Sequence, residues 1–311
     1  QTQEKKKDDT ITEPGTPTKD GYSFLSWKLT SGIGPDDPIG SNPTGHATYT
    51  AQWEEVKAFW LAPAGASDPT SGIVQTDTQI KAAATDIASK GTSSSYYSTY
   101  NTYMNNDTYH LYTKLTDGTY LEARIVQVGP HDSDGSGLTF QAVHSLPMAY
   151  QMNTSGSNSG RWAPMTLRTS MNSGTIYNLF DTNFTSQLKS VTKVSAIGGA
   201  STSTTTTSDK LWIMSYSELT GQTTLEYKTQ SEGSQYAYWS GKVTTGGNSV
   251  LVPLGKTRAG GNSSGVYSAG EWWQRSTGSM TGSFMVVNYT GSPFAAYYSS
   301  YAYGIVPCFS F

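Results

Sequence analysis

Cysteine occurs once in this chain of 311 residues, at Cys308. A lone cysteine excludes an internal disulfide and a cysteine-based zinc site. Charge is scarce as well: Asp, Glu, Lys and Arg make up 14% of the residues, and the net charge is −3. No basic block stands out beyond Lys5-Lys6-Lys7. Electrostatic binding to nucleic acid or to an anionic membrane surface therefore has little support. No apolar run is long enough to span a bilayer, so direct membrane insertion is not expected. The histidines are His46, His110, His131 and His144, and none stands in a Gly-x-Ser-x-Gly or His-Glu-x-x-His setting, which removes two common hydrolase signatures. Paired-carboxylate chemistry stays open, although Asp and Glu are almost absent from roughly the last forty residues, with Glu271 the exception. The chain starts at Gln1 with neither Met nor an apolar leader, as expected of a processed or trimmed end.

What fills the chain is small, polar and aromatic. Hydrophobic residues are 35% and aromatic residues 12%, and Gly, Ser, Thr, Asn and Tyr supply much of the rest. Aromatics spread along the whole length argue against disorder. The composition reads as a loop-rich, β-rich fold with an uncharged polar surface, in one large domain or two unequal ones.

The pattern along the chain suggests an α+β protein with a boundary near residue 55. Residues 1–9 are charged and read as a linker or frayed end. Tyr22-Ser-Phe-Leu-Ser-Trp27 and Ala47-Thr-Tyr-Thr-Ala-Gln-Trp53 alternate aromatic and polar residues around a turn-rich stretch from Gly32 to Gly45. That pattern predicts two strands of a small sheet with one aromatic face. Residues 56–75, punctuated by Pro63, Gly65, Pro69 and Gly72, read as a connector. Thr78–Lys90 is the clearest helix, with Ile80, Ala83, Ala84 and Ile87 on one face and Gly91 as a stop. Leu111–Val128 reads as a hairpin turning at Asp117-Gly118. Pro164–Lys193 reads as a broken helical region, Ser201–Ser208 as a surface loop, and Lys210–Met214 as a short apolar strand. His131, Asp132, Asp134 and Ser136 sit in an Asp-x-Asp-Gly-Ser stretch that lacks the bidentate Glu of a calcium loop, so a turn is the better reading and no metal is expected.

Two resemblances sharpen this outline. Pro17-Thr-Lys-Asp-Gly-Tyr-Ser-Phe-Leu-Ser-Trp27 followed by Tyr49-Thr-Ala-Gln-Trp53 resembles the internalin-B-type (Listeria–Bacteroides) repeat over about forty residues. The resemblance implies a small β-grasp-like spacer module, residues 1–55, of the kind found in bacterial surface proteins.

From residue 76 to Phe311 the chain resembles a bacterial and phage family with a C-type-lectin-like fold. The blocks that carry it are Asp134–Ala142, Arg161-Trp162, Leu167-Arg168, Met171-Asn172, Asp209–Trp212, Ser217–Gly221, Gln235–Trp239, Trp272-Trp-Gln-Arg-Ser276 and Gly304–Phe309, in the expected order. Two positions depart from the pattern: Val306 stands where Arg precedes the Pro, and Gln274 where Leu follows the Trp pair. The same fold houses the formylglycine-generating enzymes, which need two cysteines, so that branch is closed here. It also houses the variable proteins of diversity-generating retroelements. Those are diversified at Asn-type codons that never become Lys, Glu, Gln, Met or Trp. Asn288–Tyr303 contains none of these five types, which form about one residue in six of the chain. Chance absence over the window is roughly one in twenty. The sugar-binding triplets of calcium-dependent lectins, Glu-Pro-Asn, Gln-Pro-Asp and Trp-Asn-Asp, do not occur.

The resemblance implies a ligand-binding protein rather than an enzyme, displayed outside the cell on a bacterial surface or phage virion, with a protein or glycan on another cell or host as partner and no cofactor. Its variable surface would comprise Tyr289, Phe294, Tyr297, Tyr298, Ser299, Ser300, Tyr301 and Tyr303, a paratope-like mixture of rings and small polar residues. Tyr297-Tyr-Ser-Ser-Tyr301 puts tyrosines on both faces of an extended segment. The set is nonetheless expected to share one solvent-facing patch that binds with little dependence on salt. Trp272, Trp273, Arg275, Gly304, Pro307 and Phe309 would form the invariant frame beneath it, with Arg275 bonded to loop carbonyls. A fixed-sequence adhesion or structural module of the same fold is the rival reading, and a glycan-active enzyme a third.

Overall fold

A computed structural model describes residues 10, 17, 22–34, 45–55, 57–196, 203–222, 232–243, 251, 257–258, 267–268, 270–278 and 280–311. Among these the chain is mixed α+β, built mostly from small antiparallel sheets, and it divides into two compact units, Gln1–Lys57 and Ala58–Phe311.

Among its described residues the first unit pairs β1 (Tyr22–Gly32) against β2 (Ala47–Glu55), with register shifts between Phe24 and Ser26 and between Leu29 and Ser31. Trp27, Leu29, Tyr49 and Trp53 are half-buried, while Ser26, Lys28, Thr30, Thr48 and Thr50 are exposed. The alternation gives the two strands an apolar and a polar face, as the period of two requires. The end stretch 1–9, the motif positions 18–21 and positions 35–44 of the turn-rich stretch lie outside the described residues.

The second unit begins earlier than the sequence suggested. Residues 58–75, most of the expected connector, belong to the second unit. β3 (Trp60–Pro63) and β4 (Gln75–Thr76) are one side of a six-stranded sheet, and Ala58, Phe59, Trp60, Leu61 and Ala62 are buried. Proline and glycine density misled here: the short apolar run Phe59–Ala62 outweighs the turn residues that follow it. The sheet runs in the order β17-β7-β6-β5-β3-β4, adding β5 (Tyr109–Lys114), β6 (Tyr120–Val128), β7 (Leu138–Ala142) and β17 (Cys308–Ser310). The first and last strands of the unit therefore lie in one sheet. Asp117 turns the β5–β6 hairpin by accepting from the Thr119 N–H at 2.9 Å.

Helix α1 (Asp77–Lys90) covers this sheet with Ile80, Ala83, Ala84 and Ile87. Gln79 reaches back to accept the Thr76 N–H at 2.9 Å, and Asp77 and Lys90 complement the helix dipole at its two ends. The helix lies so close to the start of β7 that a Cβ on Gly137 would fall 1.7 Å from the Ala84 carbonyl oxygen, so only glycine fits there. A second helix, α2 (Tyr97–Asn106), buries Tyr100 and Met104. The core is strongly aromatic: Phe59 stacks on Phe311 at 4.4 Å, and Phe184 meets Phe309 edge-on at 5.1 Å.

Three further sequence readings need correction. The helical region after Pro164 is short pieces, α3 (Thr166–Ser173), a single 3₁₀ turn at Tyr177–Leu179 and α4 (Thr182–Thr185). Gly174 ends the first, and Asp181 caps the last through the Asn183 N–H at 2.7 Å. The supposed Ser/Thr loop is largely a strand, β10 (Thr204–Asp209), paired with β9 (Val191–Ala196). Its threonines are β-branched, and that preference outweighs the low complexity of the run. Lys210–Met214 makes only an isolated bridge, Trp212 to Cys308.

Candidate binding surface

The window flagged by composition hangs from a three-stranded sheet in the order β13-β14-β15. β13 (Trp272–Thr277) and β14 (Ser283–Val287) are buried at every position, whereas β15 (Ala295–Tyr298) is half-exposed. Two opaque strands thus carry one accessible strand at their edge. The start of the window is a closed turn, in which the Asn288 side-chain oxygen accepts from the N–H groups of Thr290 (3.0 Å) and Ser292 (2.9 Å). Its end is fixed by β16 (Ala302–Tyr303), which pairs with β8 (Tyr150–Gln151), and by Gly304, whose N–H donates to the Glu271 carbonyl at 2.8 Å. A Cβ on Gly304 would lie 3.1 Å from that carbonyl oxygen and 3.0 Å from the Ser145 Cβ, which explains a glycine at this close approach.

The six frame residues are all buried. Trp273 donates its indole N–H to the Tyr150 carbonyl at 2.7 Å, and Pro307 offers its carbonyl to the Ala142 N–H at 2.9 Å. Arg275 bonds to two carbonyls outside the strands and one within β9: Nη1 donates to Ile213 O (3.0 Å), Nη2 to Glu232 O (2.6 Å), and Nε to Val194 O (3.3 Å). It also pairs with the buried Glu218 carboxylate. Burial alone would raise Glu218, but Arg275 and Lys193 beside it prevail and hold its carboxyl at about 2. Lys193 donates to the Tyr236 hydroxyl at 2.8 Å and lies 4.3 Å over the Trp212 ring. Sequence reading missed this buried ionic knot around Arg275. The available signal was Ser215-x-x-Glu218, a capping box, which starts α5 (Tyr216–Thr220) with the Ser215 N–H donating to Glu218 at 3.0 Å. The departure at Gln274 also has an account: its buried side-chain amide donates to the Pro293 carbonyl inside the window at 2.7 Å. Val306, the other departure, is fully buried.

Of the expected surface residues, Tyr289 is 65% exposed, Tyr301 50%, and Phe294 and Tyr298 46% each. Tyr297, Tyr303 and Ser300 are half-buried. Ser299 corrects the expectation: it is fully buried, its carbonyl accepts the Asn153 N–H at 3.0 Å, and its N–H donates to Gly282 at 2.7 Å. Composition could not show this, because a small serine suits a tight crossing as well as an open surface.

The single patch is corrected too. Successive side chains of a strand point to opposite faces, and the pleat of β15 parts Tyr297 from Tyr298. On one face Tyr297 meets Tyr303 (centroids 5.2 Å apart), and Tyr303 meets Trp273 edge-on at 4.9 Å. On the other, Tyr298 meets Tyr301 edge-on at 5.9 Å. Phe294, which shares that parity, meets Tyr216 at 6.3 Å. The exposed edge is a ridge with an aromatic cluster on each flank. The Asp132–Ser136 stretch is a turn tied by Asp134, which accepts from the Ser136 N–H at 2.8 Å. Among the described residues no group of three or more His, Cys, Asp or Glu side chains is placed to hold a metal ion.

Residues 73–311 match the family described as a domain of unknown function (DUF6273), and the chain belongs to that family. No curated protein and no solved structure matches the chain.

Proposed function

We propose that the second unit is a C-type-lectin-like ligand-binding domain whose β15 ridge is varied by a diversity-generating retroelement. In this reading the first unit is an internalin-type, β-grasp-like spacer, and the protein is displayed outside the cell, on a bacterial surface or a virion, toward a protein or glycan partner. One observation carries the reading. Asn288–Tyr303, a stretch free of the five codon-excluded residue types, lies on the accessible edge of a sheet whose other two strands are wholly buried. Random side chains are tolerated only where no core volume changes. Large exposed rings also give contact area at low entropic cost.

The test is a comparison of DNA from several isolates. Substitutions in the codons for Tyr289, Phe294, Tyr298 and Tyr301, confined to positions that are adenine in a near-identical template repeat beside a reverse transcriptase gene, support the reading. An invariant window overturns it. The buried Ser299 and the core-packed rings of Tyr297 and Tyr303 favour a second reading at those three positions, a fixed-sequence adhesion surface of the same fold. In that case isolates share all the residues of the window.

A further inference from the structure

Glu271 is the only acidic residue in positions 271–311, and its setting is unusual. Its backbone is fixed by the Gly304 N–H and by the buried strand that begins at Trp272. Its Oε1 accepts the Tyr297 hydroxyl at 3.2 Å. Among the described residues no cation pairs with it, and its Oε2 has no hydrogen-bond partner. Tyr297 and Tyr303 stand side by side next to this carboxylate. Burial first and then the Glu271 charge raise both phenols, Tyr303 to about 12, so both rings feel the carboxylate.

Aromatic faces carry a negative quadrupole that attracts cations, and a neighbouring carboxylate adds a full charge. A half-buried, half-paired carboxylate beside two tyrosines is complementary to a cation that arrives from outside. We propose that Glu271, Tyr297 and Tyr303 form a recognition site for a cationic side chain, guanidinium or ammonium, presented by a protein or peptide partner. The proposal rests on the reading that the β15 ridge binds a partner, and adds the chemistry of one flank. Glutamate is also a residue that Asn-type codons cannot write, so Glu271 would be a constant charge beside changing rings. An alternative role, as acceptor for the Tyr297 hydroxyl alone, needs no charge, because a glutamine accepts the same bond.

The experiment titrates the full chain, tyrosine-labelled for NMR, with N-acetyl-arginine amide, N-acetyl-lysine amide and the neutral N-acetyl-citrulline amide. Saturable shifts of the Tyr297 and Tyr303 rings with the two cations, and binding of citrulline weaker by about tenfold or more, support the proposal. Glu271→Gln should weaken the cations by about tenfold while leaving the thermal melt unchanged, whereas Asp117→Asn, which removes the same charge at the β5–β6 turn, should change nothing. Added salt should weaken the cations progressively, because the carboxylate is partly exposed. Equal binding of citrulline, full affinity in Glu271→Gln, or no saturable shift with either cation overturns it. A peptide-display selection on the same chain separates the two levels. Binders lost in Phe294→Ala or Tyr301→Ala but indifferent to Glu271→Gln sink the cation site and leave the ridge reading intact. A selection with no binder sensitive to any of these positions sinks the ridge reading itself.

Discussion

Arg275→Ala is the sharpest perturbation the structure offers, because it removes a fully buried cation whose partners cannot follow it. The guanidinium satisfies the carbonyls of Ile213, Val194 and Glu232 and one oxygen of Glu218. Its loss leaves Glu218 buried with Lys193 at 3.5 Å as its remaining ion-pair partner among the described residues. Breaking a buried pair from one side costs about 3–5 kcal/mol. At about 2–4 °C per kcal/mol for a domain of this size, the melt of the second unit should fall by roughly 6–20 °C. Arg275→Lys keeps the charge but not the fork, and should lie between the alanine variant and the parent. Near-UV circular dichroism follows the unit directly, since Trp60, Trp162, Trp212, Trp239, Trp272 and Trp273 all belong to it. The pH dependence has a definite sign. Glu218 is depressed from 4.5 to about 2, so its contribution is whole above about 4.5 and is lost as pH falls toward 2. That acid-sensitive component should shrink in Arg275→Ala. A variant that melts within about 1 kcal/mol of the parent, with the same acid profile, would refute the argument that this knot holds β13 in place.

Other outcomes follow from the same geometry. Tyr298→Ala and Tyr301→Ala should change stability by no more than about 0.5 kcal/mol, while Trp273→Ala and Phe309→Ala should each cost about 3–5 kcal/mol; chemical denaturation separates the classes, and equal large losses would refute the exposure of the tyrosines. Ser299→Tyr should cost about 1–3 kcal/mol through overpacking, and an unchanged midpoint would show that the crossing with Asn153 and Gly282 is not tight. Proteinase K, which needs no basic residue, should cut near Lys57, between the two units, while Trp60–Thr76 survives as part of the sheet; mass spectrometry of the first fragments checks this, and early cleavage inside 60–76 would contradict the six-stranded pairing.

The features legible in the sequence were those set by short-range physics. The α1 face, the Asp117 turn and the alternating strands of the first unit follow from local spacing, and Trp272, Trp273 and Phe309 are large enough to declare themselves as core. What stayed hidden depends on partners far along the chain. Trp60–Pro63 is a strand because Tyr109–Tyr112 pairs with it, Ser299 is buried because Asn153 and Gly282 cross it, and Arg275 needs Glu218 and Glu232 from two other segments. The division of the tyrosines between two flanks was implicit in the pleat, but which rings meet depends on β16 folding back onto β8.

The placement of β17 has a consequence at the level of the gene. The window is translated before Cys308–Ser310, and that strand is the partner of β7. A stop codon or a shift of reading frame inside the window would therefore delete Phe309 and Phe311 from the aromatic core and leave Phe140, Phe184 and Phe59 without their neighbours. Such products should fail to fold and be removed by cellular proteolysis. Only chains translated in frame through the window would then complete the sheet, so the last strand ties the fold of the whole unit to an intact message.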